Sequence, residues 1–73
     1  MTLQEKIEML EDIMDVEEGT LSSGTALSEV EEWDSLSSLS LTVEMKRQFG
    51  LTLTTDILKS FKTVGDICGF IPD

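Results

Sequence analysis

The sequence predicts an all-α fold: a four-helix bundle with a long loop between the first and second helices and a short third helix. Three observations point there. Apolar residues near the N-terminus recur with a helical period, threonine or aspartate caps precede three separate apolar runs, and the sequence offers no pair of alternating runs long enough to form a sheet. With 73 residues, 40% of them hydrophobic, the chain is expected to form a single domain over residues 1–73. A domain of this size buries about 60% of the surface its unfolded chain exposes, which leaves little room for both a core and a catalytic cleft.

Thr2 followed by Glu5 has the spacing of a capping box, in which hydroxyl and carboxylate satisfy backbone donors that the first helical turn leaves free. Leu3, Ile7, Leu10 and Met14 then fall in one narrow sector at 100° per residue, with Glu5, Glu8, Asp12 and Asp15 opposite, so an amphipathic helix of about 13 residues is expected. The period fades from Glu17 to Asp34. Gly19, Gly24 and the run Thr20 to Thr25 read as a long connection, lying over the bundle through Leu21, Leu27, Val30 and Trp33, with a short turn at Ser28 to Glu32. Trp33 is expected to be a packed anchor rather than a ligand platform.

Asp34 is a good N-cap, because its carboxylate meets both free N–H groups and the positive end of the helix dipole. Ser35 therefore stands in the first turn of the second helix. To Phe49 this helix carries two apolar stripes, Leu41, Met45 and Phe49 on one side and Leu36, Leu39 and Val43 about 160° round. One interface cannot bury both, so either neighbours sandwich the helix or one stripe is open to a partner. Gly50 supplies the stop. Leu51-Thr52-Leu53 is expected to plug the core as a loop, Thr54 to Ser60 to form a short helix around Ile57, Leu58 and Phe61, and Thr63 with Asp66 to cap a last helix. Val64, Ile67, Cys68 and Ile71 line one face of that helix, which places Cys68 in the core, and Pro72 ends it.

Composition narrows the function. The chain has no His, no Tyr and one Cys, which removes the usual general bases, zinc sites and an internal disulfide. Residues 1 to 34 hold eleven acids against Lys6, a net −10, and residues 35 to 73 hold four of each sign. Such charge repels nucleic acids and anionic membranes and favours protein partners with basic patches; the bland alternative is a solvated acidic face. The N-terminus lacks a signal-peptide pattern and no apolar run approaches the roughly 20 residues needed to span a bilayer, so a cytoplasmic monomer without membrane insertion is expected. The unpaired Cys agrees with a reducing compartment.

The informative segment is Glu31-Glu32-Trp33-Asp34-Ser35-Leu36. A serine hydroxyl needs a neighbouring base to act as a nucleophile; the chain has no His, and Lys46 lies three helical turns away. Ser35 thus reads as an acceptor to which another enzyme attaches a group, and the protein as a non-enzyme. An EF-hand is not expected, because Asp15 to Gly19 puts the glycine at the fifth position and a frame from Asp12 places Met14 and Val16 where oxygen ligands belong.

Here the chain resembles the acyl carrier proteins and their peptidyl carrier relatives. The resemblance spans nearly all of it: an acidic first helix, a long loop, Asp34-Ser35-Leu36 opening a second helix, Phe49-Gly50-Leu51-Thr52-Leu53 after it, a short third helix, and Thr63-Val64-Gly65-Asp66-Ile67 starting the last. It implies that Ser35, flanked by Asp34 and Leu36, receives 4′-phosphopantetheine from coenzyme A through a separate magnesium-dependent phosphopantetheinyl transferase. It also implies that the arm's thiol carries acyl groups as thioesters loaded by a ligase or acyltransferase and used by synthase enzymes. A carrier of this kind needs no catalytic residues. The second helix is then the recognition helix, with Leu36, Leu39 and Val43 exposed and Leu41, Met45 and Phe49 buried; Glu31, Glu32, Glu44, Lys46 and Arg47 complete the expected recognition set.

The second helix departs from the fatty acid carriers, which usually place several acids along it, whereas here Glu44 is followed by Lys46 and Arg47. Fatty acid, polyketide and related pathways stay open on this reading. The alternatives are a peptidyl or aminoacyl carrier of a nonribosomal peptide pathway and an unmodified acidic helical interaction domain. Four Met and few aromatics suggest an interior pliable enough for an acyl chain to slip between the helices.

Overall fold

The structure, a computed structural model, describes residues 1–72. Four α-helices are present among the described residues: α1 (Leu3–Met14), α2 (Ser35–Phe49), α3 (Thr55–Ser60) and α4 (Val64–Phe70), with one 3-10 turn at Leu27–Glu29 in the long connection. The α-helical class, the long first loop and the short third helix are as the sequence reading has them.

Local chemistry sets each boundary. The Thr2 hydroxyl accepts the Glu5 N–H at 3.2 Å and the Glu5 carboxylate accepts the Thr2 N–H at 2.8 Å, closing the expected box. The bond from the Thr2 backbone N–H is the chief cause that holds the Glu5 carboxyl below its ordinary range. At the other end Asp15 adopts the left-handed conformation (φ 56°) and its N–H returns to the carbonyls of Asp12 and Glu11, which ends α1 at 12 residues. Gly50, at φ 68°, does the same for α2.

Ile7, Leu10 and Met14 from α1, Leu41 and Met45 from α2, and Val64, Ile67, Cys68 and Ile71 from the α4 segment share one core with Leu21, Leu27 and Leu53. Leu53 plugs this core from a loop, as expected. Leu3 does not join it: it stands on the first turn of α1, 53% exposed. Phe49 is half-buried rather than buried, and of the four Met only Met14 and Met45 lie in the interior. Buried Cys68 behaves as a core residue; burial pushes its thiol pKa up, with Lys6 acting the other way.

Two charged residues that flank the α1 stripe are buried, and the sequence reading assigned them no role. Glu11 accepts the N–H of buried Leu21 at 3.0 Å, pinning the long loop to α1. The Lys6 ammonium donates to the Cys68 carbonyl at 3.4 Å, placing a cation at the C-terminal end of α4, whose own last turn has none.

The long connection lies over the bundle and is stitched to the start of α4. Leu27 donates to the Lys62 carbonyl, Val64 to Thr25 and Gly65 to Ser23, at 2.9, 3.0 and 2.8 Å, around a single antiparallel bridge between Ala26 and Thr63. The loop thus supplies the acceptors that the first turn of α4 requires. A Cβ on Gly65 would stand 2.8 Å from the Ser23 carbonyl oxygen, so this close approach is what glycine permits. The 3-10 turn begins one residue earlier than the expected turn and is shorter.

Candidate functional site

The site is assembled where the long loop turns into α2. Asp34 holds extended dihedrals (φ −130°, ψ −168°), and its carboxylate accepts the Ser37 N–H at 3.0 Å, so it is the N-cap the sequence suggests. Ser37 is buried and its hydroxyl donates to the Glu32 carbonyl, tying the loop down against the helix it precedes. The Ser38 hydroxyl donates to the carbonyls of Asp34 and Ser35, at 3.0 and 3.2 Å. Ser35 differs from both: it is exposed, and among the described residues no group hydrogen-bonds its hydroxyl. A helix start held from behind therefore presents one uncommitted hydroxyl to solvent.

Beside Ser35 opens a trough of about 610 Å³ between the start of α2 and α3, walled by Trp33, Asp34, Ser38, Thr55, Leu58, Lys59 and Phe61. Phe61 is braced by an edge-to-face contact with Phe70 of α4, centroids 5.9 Å apart. Trp33 is half-buried and packs against the core, as expected of an anchor, but it also lines this trough. Sequence reasoning missed Leu58, Lys59 and Phe61 as neighbours of Ser35. Nothing local signals them, because α3 reaches the site only through tertiary packing.

The rest of the expected recognition set is scattered over the surface. Leu36, Leu39 and Val43 are 74%, 61% and 53% exposed, an apolar stripe with no cover. Glu31 and Glu32 are exposed at the loop's end, and Lys46 and Arg47 on the last turns of α2. Glu44 is half-buried, accepting from the Gln48 amide at 2.6 Å with Arg47 3.5 Å away. No group of three or more potential metal ligands converges among the described residues, and no helix among them is long and apolar enough to cross a membrane.

This arrangement suits a phosphopantetheine arm. The exposed hydroxyl without a partner is open to an attached group, and the trough beside it combines apolar walls with the Lys59 ammonium and the Asp34 carboxylate.

The family model described as phosphopantetheine attachment site matches residues 7–71. Among solved structures, the solution NMR structure of a holo acyl carrier protein from Geobacter metallireducens is similar, with a TM-score of 0.71 and 25% identity over 93% of this chain and 78% of that one. No curated protein sequence matches significantly. Domains of this family are carriers without catalysis of their own, working with transferase or synthase enzymes. The chain belongs to the phosphopantetheine-attachment family, and its prosthetic group is 4′-phosphopantetheine.

Proposed function

We propose that residues 1–73 form one carrier domain with the arm on Ser35, shuttling acyl intermediates between enzymes of fatty acid, polyketide or related biosynthesis. The observation that carries this reading is the contrast among neighbouring serines: Ser37 is buried and bonded and Ser38 is bonded twice, while Ser35 is exposed without a partner. When bound, the arm supplies the thiol on which acyl groups ride as thioesters.

The chain's own residues do the positioning. Asp34 fixes the first turn of α2, so the hydroxyl is offered from a rigid end. Trp33, Leu58 and Phe61 offer apolar surface beside it, and Lys59 offers a cation to a phosphodiester. The Leu36, Leu39 and Val43 stripe is the surface against which a transferase, a loading ligase or acyltransferase, and synthase enzymes would dock, with Glu31 and Glu32 attracting basic partners. The working state is a cytoplasmic monomer.

The test is intact mass after incubation with coenzyme A, magnesium and a phosphopantetheinyl transferase. The wild type is expected to gain one phosphopantetheinyl group and Ser35→Ala none; a modified Ser35→Ala protein, or an unmodified wild type, would overturn the assignment. A second reading, an aminoacyl carrier, is favoured by the mixed charge of α2, where Glu44 stands with Lys46 and Arg47. Loading the holo protein with adenylating enzymes for amino acids and for fatty acids separates the two.

A further inference from the structure

The last turns of α1 carry a cavity of about 310 Å³ that shares no residue with the trough beside Ser35. Glu8, Glu11 and Asp12 of α1 line it together with Val16 and Glu18 from the start of the long connection. Glu11, 2% exposed, is its buried floor; Glu8 is half-buried, and Asp12 and Glu18 are exposed at the rim. The two oxygens of Glu11 are used differently. Oε2 accepts the Leu21 N–H at 3.0 Å, whereas Oε1 is buried and has no hydrogen-bond partner among the described residues. A buried carboxylate oxygen without a donor is costly and is ordinarily met by a water or an ion.

Charge decides between the two. Glu8, Glu11 and Asp12 stand at i, i+3 and i+4 on α1, where like charges repel, and Glu18 adds a fourth carboxylate from the connection. None of the chain's five basic residues lines the cavity, and Lys6, the basic residue of α1, donates to the Cys68 carbonyl of α4. A water satisfies the bare oxygen but leaves the repulsion in place; a cation relieves both. The spacing selects the kind of cation. Among the described residues no three carboxylates converge on one point, so there is no ready cage of direct ligands of the sort calcium takes. Magnesium gives up its waters reluctantly and is held through them. A shell of about six waters at about 30 Å³ each takes about 180 Å³, which the cavity can hold.

We propose that this cavity holds a hydrated magnesium ion, whose water shell donates to Glu11 Oε1 and is shared by Glu8, Asp12 and Glu18. The ion ties the end of α1 to the start of the connection, just before Leu21 is held by the same Glu11 carboxylate. It thereby steadies the loop whose Ser23 and Thr25 carbonyls serve the first turn of α4. The site needs neither the arm nor Ser35.

The test titrates magnesium chloride, at constant ionic strength, into the ¹⁵N-labelled full chain, both wild type and Ser35→Ala. Saturable amide shifts are expected at Glu8, Glu11, Asp12 and Glu18 in both proteins, with a rise in the urea midpoint. Cobalt(III) hexaammine, whose shell does not exchange, is expected to shift the same amides. Asp12→Asn with Glu18→Gln is expected to weaken magnesium binding about tenfold, while Glu29→Gln with Glu31→Gln, which removes the same charge farther along the loop, changes it by less than about twofold. Glu11→Gln is expected to lose the magnesium response while keeping the loop in place, because its amide oxygen can still accept from Leu21. Equal weakening by both pairs, or the same shifts from sodium, would reveal a diffuse ion atmosphere only and overturn the proposal. Shifts centred elsewhere, or a cobalt complex that leaves these amides unmoved, would overturn it too. Because the site needs no arm, its failure leaves the mass test of Ser35 untouched, and failed loading leaves the magnesium result untouched.

Discussion

α3 and α4 are nearly the same length, six and seven residues, and each starts on a threonine cap, yet they are held very differently. In α4 the Thr63 and Asp66 box is closed in both directions, two more first-turn N–H groups go to the long loop, and Val64, Ile67 and Cys68 are buried. α3 has one cap bond, Thr54 to the Ile57 N–H at 3.2 Å, and no buried residue. Helices this short are not stable alone, so tertiary contact decides how firmly each is fixed. α4 is a fixed pillar, and α3, the wall of the trough beside Ser35, is the one free to yield.

The sharpest way to break this comparison is a cavity in each helix. Ile67→Ala, at a site 1% exposed, is expected to lose about 2–5 kcal/mol, a large share of the roughly 4–11 kcal/mol that a domain of this size has. Ile57→Ala, at a half-buried site, is expected to lose under about 1.5 kcal/mol. Urea melts of the two variants check this, and equal losses would make α3 as integral as α4.

Within α4 the glycines should differ in sign. Gly65→Ala forces a methyl against the Ser23 carbonyl and is expected to cost about 1–3 kcal/mol, because backbone must move. Gly69→Ala meets nothing within 4 Å and is expected to add about 0.5–1 kcal/mol by lowering the entropy of the unfolded chain. Thermal melts decide, and a destabilised Gly69→Ala would contradict the packing described.

Caps give a smaller contrast. Thr63→Ala should cost about 1 kcal/mol of global stability. Thr54→Ala should show mainly as faster hydrogen exchange at α3 amides, with little change in the melting midpoint. Acid adds a dependence of known sign. The N–H groups of Lys62 and Thr63 hold the Asp66 carboxyl below its ordinary range, so its stabilisation is present above the unfolded carboxylate pKa and is lost as pH falls through the folded value. Asp66→Asn should therefore flatten the fall in stability at and below roughly pH 4. Urea midpoints against pH measure it.

Much of this was legible from local signals. The boxes at Thr2 and Thr63, the Asp34 cap and the Gly50 stop each depend on residues within four positions, so spacing alone reveals them. The two stripes of α2 were readable by angle, and the exposed one is Leu36, Leu39 and Val43. What escaped depends on distant contacts. Gly65 looks unremarkable until Ser23 is placed against it, Glu11 looks solvated until Leu21 folds over it, and Leu3 has the right period but stays exposed. The trough escaped for the same reason, since Leu58, Lys59 and Phe61 meet Ser35 only when α3 docks.

Peptide mapping of the loaded protein bears most directly on the central claim, because Ser35, Ser37, Ser38 and Ser40 lie within six residues of one another. The fragment spectra are expected to place every phosphopantetheinyl group on Ser35 and none on the other three. Modification at Ser37 or Ser38 in the folded wild type would contradict the account, since it would mean that exposure and hydrogen bonding do not select the acceptor; modification at Ser40, which is as exposed and unbonded as Ser35, would mean that the place at the helix start does not.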